Sequence, residues 1–307
     1  MSFDSLLEQL ANPGARTTAQ ELVDFSDLSD DEAQQLAETW PDVTPERRLH
    51  LLTDLADLSQ DNVELNFDAV FKTALTDEDP EVRAAAIRGL FEYEGRDLIP
   101  MLSEILRDDP APDVRREAAM GLGRFALAAE LGYLRSDDSE SIKDALIESA
   151  EDLEEDDRVR ARAIEALGAI SGEDTENLIE SIYHEDSLWL KVGAVDAMGR
   201  SCNDLWLPVI VRELENPAPE MRHAAAFAAG EIGEEDAIEP LKRMAIEDPD
   251  HEVKLVAVHA LSEIGGPLAR VALKSILYEG DDDLQQAVQE AMTEVAFQED
   301  PLNPSSF

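Results

Sequence analysis

The chain has 307 residues, 70 of them acidic against 25 basic, for a formal net charge of −45. So negative a surface excludes nucleic acid and anionic membranes as partners, because both need Lys and Arg to neutralise phosphate. Hydrophobic residues make up 44% of the chain and aromatics only 5%, so it folds around a core of Ala, Leu, Ile and Val rather than remaining disordered.

The N-terminal stretch MSFDSLLEQLANPGARTT lacks a basic start and an apolar core of signal-peptide length. No run approaches the roughly 20 apolar residues of a membrane span. With the single cysteine Cys202 no intramolecular disulfide can form. A cytoplasmic protein is expected, and mutual repulsion of like charges makes a monomer the expected state.

From residue 63 onward the chain repeats itself. DPEVRAAAIRGL from Asp79, PDVRREAAMGLG from Pro112 and DDRVRARAIEALG from Asp156 align with SLWLKVGAVDAMG from Ser187. PEMRHAAAFAAGEIG from Pro219, DHEVKLVAVHAL from Asp250 and DDDLQQAVQEAM from Asp281 continue the series. The anchor positions Arg83, Arg115, Arg160, Lys191, Arg222, Lys254 and Gln285 recur every 31 or 32 residues. The 45-residue step from Arg115 to Arg160 is the exception and implies an insertion around the polar run RSDDSES. TPERRLHLLTDLADL within 29–59 reads as a degenerate eighth unit.

Each unit reads as two helices, A then B. Asp79, Asp156, Ser187, Asp250 and Asp281 stand where a side-chain oxygen caps helix B. Where the cap is Ala111 or Ala218, Pro112 or Pro219 follows at the first helical position. Glycines such as Gly172, Gly233 and Gly265 are expected near the ends of B helices. Pro100, Pro208 and Pro240 recur near the starts of A helices. Ala86, Ala118, Ala163, Ala194, Ala225 and Ala257 share one position in the repeat, as close helix stacking requires. The anchor cations are expected to form a structural ladder, each bonding an acidic turn residue or a neighbouring carbonyl.

These units, with a proline-containing first helix and a VRxxAAxALG-like second one, resemble the HEAT-like repeats of phycobilisome lyases. The resemblance implies an all-α fold, a right-handed α–α superhelix of antiparallel helix pairs in seven to eight repeats. Residues 1–60 form a helical cap with the degenerate repeat, 61–298 the array with its insertion near 130–145, and 299–307 a disordered tail.

Catalytic patterns are scarce. There is no phosphate-binding glycine loop and no nucleophile elbow, and the acidic runs lack the order of a calcium loop. Deoxyhypusine hydroxylase, built from similar repeats, holds two irons through His-Glu pairs near the starts of B helices. At the matching places this chain has His223-Ala224, Ala84-Ala85, Arg116-Glu117, Ala161-Arg162, Val192-Gly193 and Leu255-Val256, and its one His-Glu pair, His251-Glu252, lies earlier. No catalytic residue, metal or cofactor is expected.

In such solenoids the B helices line the concave side. The positions one and five after the anchor share a helical face. Towards the C-terminus they hold Val192, His223 and Leu255 in one row and Asp196, Phe227 and His259 in the other. Trp189 joins them, at a capping-turn position that is acidic in most other units. Aromatic residues are enriched at interfaces, so these seven residues are the expected contact with a protein segment. The alternative is that Phe227 and Trp189 fill gaps in an alanine-rich core. The expected function is a non-enzymatic protein-binding scaffold or adaptor. The alternative is a HEAT-like lyase or isomerase, or a metal-dependent hydroxylase. The rows themselves hold few acids, so the net charge points to a salt-tolerant host rather than to a basic partner.

Overall fold

A computed structural model describes residues 2–15, 18–279 and 282–299. The described residues contain helices and no strand, and none of the helices is long and apolar enough to cross a membrane. The fold is all-α, of the α–α superhelix class. Two compact units divide at Leu122 and Gly123.

The first unit opens with α1 (Phe3–Ala11) and α2 (Ala19–Val23). Then come α3 (Asp30–Thr39), α4 (Pro45–Asp61), α5 (Asp68–Ala74) and α6 (Pro80–Gly89), with α3 packed on α5, α4 on α6 and α5 on α6. Next come α7 (Leu98–Asp108) and α8 (Pro112–Glu130), the helix in which the division falls. In the second unit α9 (Ser136–Glu151) pairs with α10 (Asp157–Leu167), and α11 (Glu173–Tyr183) with α12 (Leu188–Arg200). The pairs α13 (Leu207–Glu213) with α14 (Pro219–Ile232), α15 (Ile238–Glu247) with α16 (His251–Ile264), and α17 (Gly266–Glu279) with α18 (Asp282–Glu299) complete it. The even-numbered helices from α4 on are the B helices.

Local chemistry sets the helix starts. Asp79 accepts from Glu81 N–H, Asp156 from Arg158 N–H and Asp250 from Glu252 N–H. Ser187 precedes α12 without making a side-chain cap bond. Asp281 and the tail from residue 300 lie outside the described residues. Gly233 ends α14 at φ 77° and Gly265 ends α16. Gly172 departs from expectation: α10 ends at Leu167, and Gly172 instead opens α11 at φ 140°. The insertion is helical. The polar run RSDDSES forms the start of α9, where Asp137 and Asp138 occupy a first turn that favours negative charge.

Packing within the second unit runs through the B helices: α10 lies on α12, α12 on α14, α14 on α16 and α16 on α18. Contact is close enough to demand small residues. Ala163, Ala194, Ala225 and Ala257 are fully buried. A Cβ built on Gly199 would meet Ala228 Cα at 2.6 Å, and one on Gly193 would meet the Ala161 carbonyl oxygen at 2.4 Å.

The arginines of the anchor row form the expected ladder, while among the described residues Lys191 and Lys254 make no such side-chain bond. Arg83 donates to both Asp109 oxygens at 2.7 and 2.8 Å and to the Asp77 carbonyl at 2.8 Å. Arg222 repeats this with Asp248, at 2.7 and 2.8 Å, and with the Asn216 carbonyl at 3.0 Å. Arg160 pairs with Glu185 at 2.8 Å. In the degenerate unit Arg48, 4% exposed, pairs with Asp77 at 2.8 Å, which places that unit in the same register. Asp77, Asp109 and Asp248 also accept from the backbone N–H two residues on, so one carboxylate organises both the turn and the rung.

Candidate functional site

The seven expected contact residues fall on α12, α14 and α16, three B helices packed in succession. Trp189 lies in the first turn of α12, 42% exposed, with the Arg158 guanidinium 4.6 Å from its ring centre. That is cation–π geometry, and it holds the indole at the surface. Val192, Leu255 and Phe227 are half-buried, as is Asp196, while His223 and His259 are exposed. Phe227 is thus neither sealed between helices nor fully solvated. The buried alanines Ala224, Ala225, Ala226 and Ala228 flank it and leave its ring to the helix face.

Asp196 belongs to a charge cluster. The residue at its place one repeat earlier, Glu165, is 6% exposed and accepts from Arg162 and, at 2.6 Å, from Arg200. Burial and then the negative charge of Glu165 push the Asp196 carboxyl up to about 7, against the pull of Arg162 and Arg200. Near neutral pH this carboxyl therefore changes charge, a behaviour ordinarily left to histidine.

A third row was absent from the sequence reading. Nine residues after the anchor stand Arg200, Glu231, Glu263 and Glu294, one helical turn beyond Asp196, Phe227, His259 and Glu290. Its signal was the same 31- or 32-residue period carried one turn further along helix B. Glu231, Glu263 and Glu294 are all exposed. His259, Glu263 and Glu294 bring one ligand atom each to within 4.8 Å of one another. An imidazole and two carboxylates are a donor set that a divalent transition metal accepts. His251 and Glu252, the one His-Glu pair, sit exposed in the first turn of α16.

Cys202 is exposed in the turn after α12, in a left-handed conformation at φ 47°. Partial desolvation of the sulfur and the charge of Glu231 push its thiol pKa up, the reverse of what an activated nucleophile needs.

A family model described as HEAT repeats matches residues 33–123, 67–151 and 207–293. A HEAT repeat-containing taxis protein of Halobacterium salinarum is 27% identical over 191 residues, 62% of this chain and 40% of that protein. Deoxyhypusine hydroxylase of Cryptococcus neoformans is 29% identical over 120 residues, 38% of this chain and 33% of the enzyme. The chain thus matches well under half the length of either curated relative. Among solved structures, the complex of CpcE and CpcF of phycocyanin lyase from Nostoc sp. PCC7120 aligns with a TM-score of 0.58 at 19% identity. That alignment covers 88% of this chain and 97% of the other, and at such identity the likeness is one of fold.

Proposed function

The chain belongs to the HEAT repeat family, and from that premise we propose that it is a non-enzymatic scaffold that binds a protein segment on the B-helix face of α12, α14 and α16. The observation that supports this reading is the half-buried Phe227 on α14, with half-buried Val192 and Leu255 on the two helices packed against α14 and exposed Trp189 in the first turn of α12. An apolar strip on a chain of net charge −45 is surface that a partner can cover. Large side chains rise there above a floor of alanine, the relief that a docking segment grips. The raised thiol of Cys202 adds no nucleophile. The protein acts as a monomer in the cytoplasm and needs no cofactor.

Capture of a stoichiometric partner from host lysate, repeated with Phe227→Ala, tests the proposal. The variant keeps its helical signal and melting behaviour. It binds the captured partner more weakly by about 2 kcal/mol, as a central interface aromatic does. Undiminished binding by Phe227→Ala removes the strip from the site.

A second reading is metal-dependent hydroxylation. It draws on the similarity to deoxyhypusine hydroxylase and on the group formed by His259, Glu263 and Glu294. Iron analysis of the purified protein separates the two readings: stoichiometric iron favours the second.

A further inference from the structure

We infer that the second unit binds a small zwitterion, an aliphatic α-amino acid, in the cleft between the first turn of α11 and the turns that follow α10, α12 and α14. The site uses none of the B-helix strip and does not depend on the scaffold reading. The cleft has a volume of about 460 Å³, within the range of about 300–1,000 Å³ usual for small-molecule sites. Thr175 lines it, is 3% exposed, and its hydroxyl has no hydrogen-bond partner among the described residues. Thr39, Thr53, Thr73 and Thr293 each donate to the carbonyl four residues back. Thr175 sits in the first turn of α11, where no helical carbonyl lies four residues behind it. A buried hydroxyl left unpaired is costly, so this one calls for an acceptor from outside the chain.

The charges around the cleft select the ligand. Gly172 opens α11 at φ 140° without a side-chain cap, which leaves the N–H groups of the first turn without an acceptor. Those donors, with the Thr175 hydroxyl beside them, suit a carboxylate. A bare anion is refused, because Glu173 and Asp174 are exposed in that turn and Glu176, Asp204 and Glu234 line the cleft. Glu176 accepts from Asn203 Nδ2 at 3.1 Å, and among the described residues no Lys or Arg pairs with any of the three lining acids. A bare metal ion does not fit either. Among the described residues the acids that converge closely enough to hold one are Glu263 and Glu294 with His259, none of them in this cleft. One net-neutral molecule satisfies both sides, with its carboxylate on the donors and its ammonium towards the acids. Ile170, Ile179 and Ile232 give the cleft an apolar side for an aliphatic side chain to cover.

Cys202, the single cysteine of the chain, is exposed and lines the same cleft. The rate at which iodoacetamide alkylates it therefore reports occupancy at that place. L-Leucine is the probe. Leucinamide lacks its carboxylate, and isocaproate lacks its ammonium. The proteins are wild type, Thr175→Val, which keeps the shape and removes the hydroxyl, and Thr175→Ser, which keeps the hydroxyl.

Leucine slows alkylation of wild type in a saturable way, and each analogue acts about tenfold more weakly or less, the worth of one charge-assisted hydrogen bond. Thr175→Val melts at or above the wild-type temperature, because no bond within the chain is lost. It nevertheless binds leucine about tenfold more weakly, while Thr175→Ser keeps the wild-type affinity. Absence of protection by leucine up to about 10 mM overturns the inference. Equal protection by either analogue overturns it, because a zwitterion is then not what the cleft selects. Undiminished protection of Thr175→Val overturns it too, and so does equal loss in the Val and Ser variants, which would make shape rather than the hydroxyl the cause.

Discussion

At Asp196 one carboxylate reverses the usual acid response of a folded protein. Its folded pKa, raised to about 7 by burial and by Glu165, lies above that of the unfolded chain. Between roughly pH 4 and 7 the folded state holds the extra proton, so this group's contribution to stability falls as pH rises through that window. Asp248 runs the other way. Burial opposes its ionisation, but the bonds from Arg222 and the Asp250 N–H outweigh burial and depress its pKa, so its contribution is lost only in acid. Asp196→Asn removes the titration but keeps the shape. Its denaturation midpoint exceeds that of wild type at pH 8, and the difference shrinks towards zero at pH 5. Parallel curves across that range would show Asp196 to be an ordinary surface carboxylate. Its position in the row was legible, since the period alone puts it beside Phe227 and His259. The shift was not, because it depends on burial and on Glu165 arriving from the previous repeat, against the pull of both arginines. Glu231, Glu263 and Glu294 escaped for a simpler reason: the reading of the face stopped at the fifth residue after the anchor.

Among elements, the B helices make the strictest demand on sequence. Gly199 is helical and under no backbone strain, so Ala there would ordinarily help by about 1 kcal/mol. Here the new Cβ would meet Ala228 Cα at 2.6 Å and its Cβ at 2.7 Å, and backbone cannot swing aside as a side chain can. Overpacking of this kind costs about 1–3 kcal/mol. Gly199→Ala therefore lowers the thermal midpoint, although helix propensity alone argues for an increase. A higher midpoint would mean that the helices part at little cost. The repeat boundaries and the caps at Asp79, Asp156 and Asp250 were readable because they rest on interactions within a few residues. Gly172 was misread because glycine suits a helix exit and a helix entry equally well. The polar run after Arg135 read only as an insertion, since its helical state depends on continuity with the apolar turns of α9 around Ile142 and Leu146.

For the whole molecule, a net charge of −45 sets a repulsion that salt must screen. The screening length grows from about 10 Å at 0.1 M salt to about 30 Å at 0.01 M. The unfolding midpoint accordingly falls, or the chain expands, across that range. A midpoint indifferent to salt would remove repulsion as a significant contribution. This expectation rests on composition alone, and the repeat period already marked where the anchor arginines go. Arg48, Arg83, Arg160 and Arg222 are largely withdrawn from the surface into rungs. Each rung has a direction, because the guanidinium holds the turn of its own repeat and grips a carboxylate in the turn of the next. Lys191 forms no such rung among the described residues. Across that step the link passes to the A layer, where Tyr183 donates to Glu213 and Arg212 donates to Tyr183. Along these steps within each unit, order is thus handed from one repeat to its successor, as along a line of dominoes.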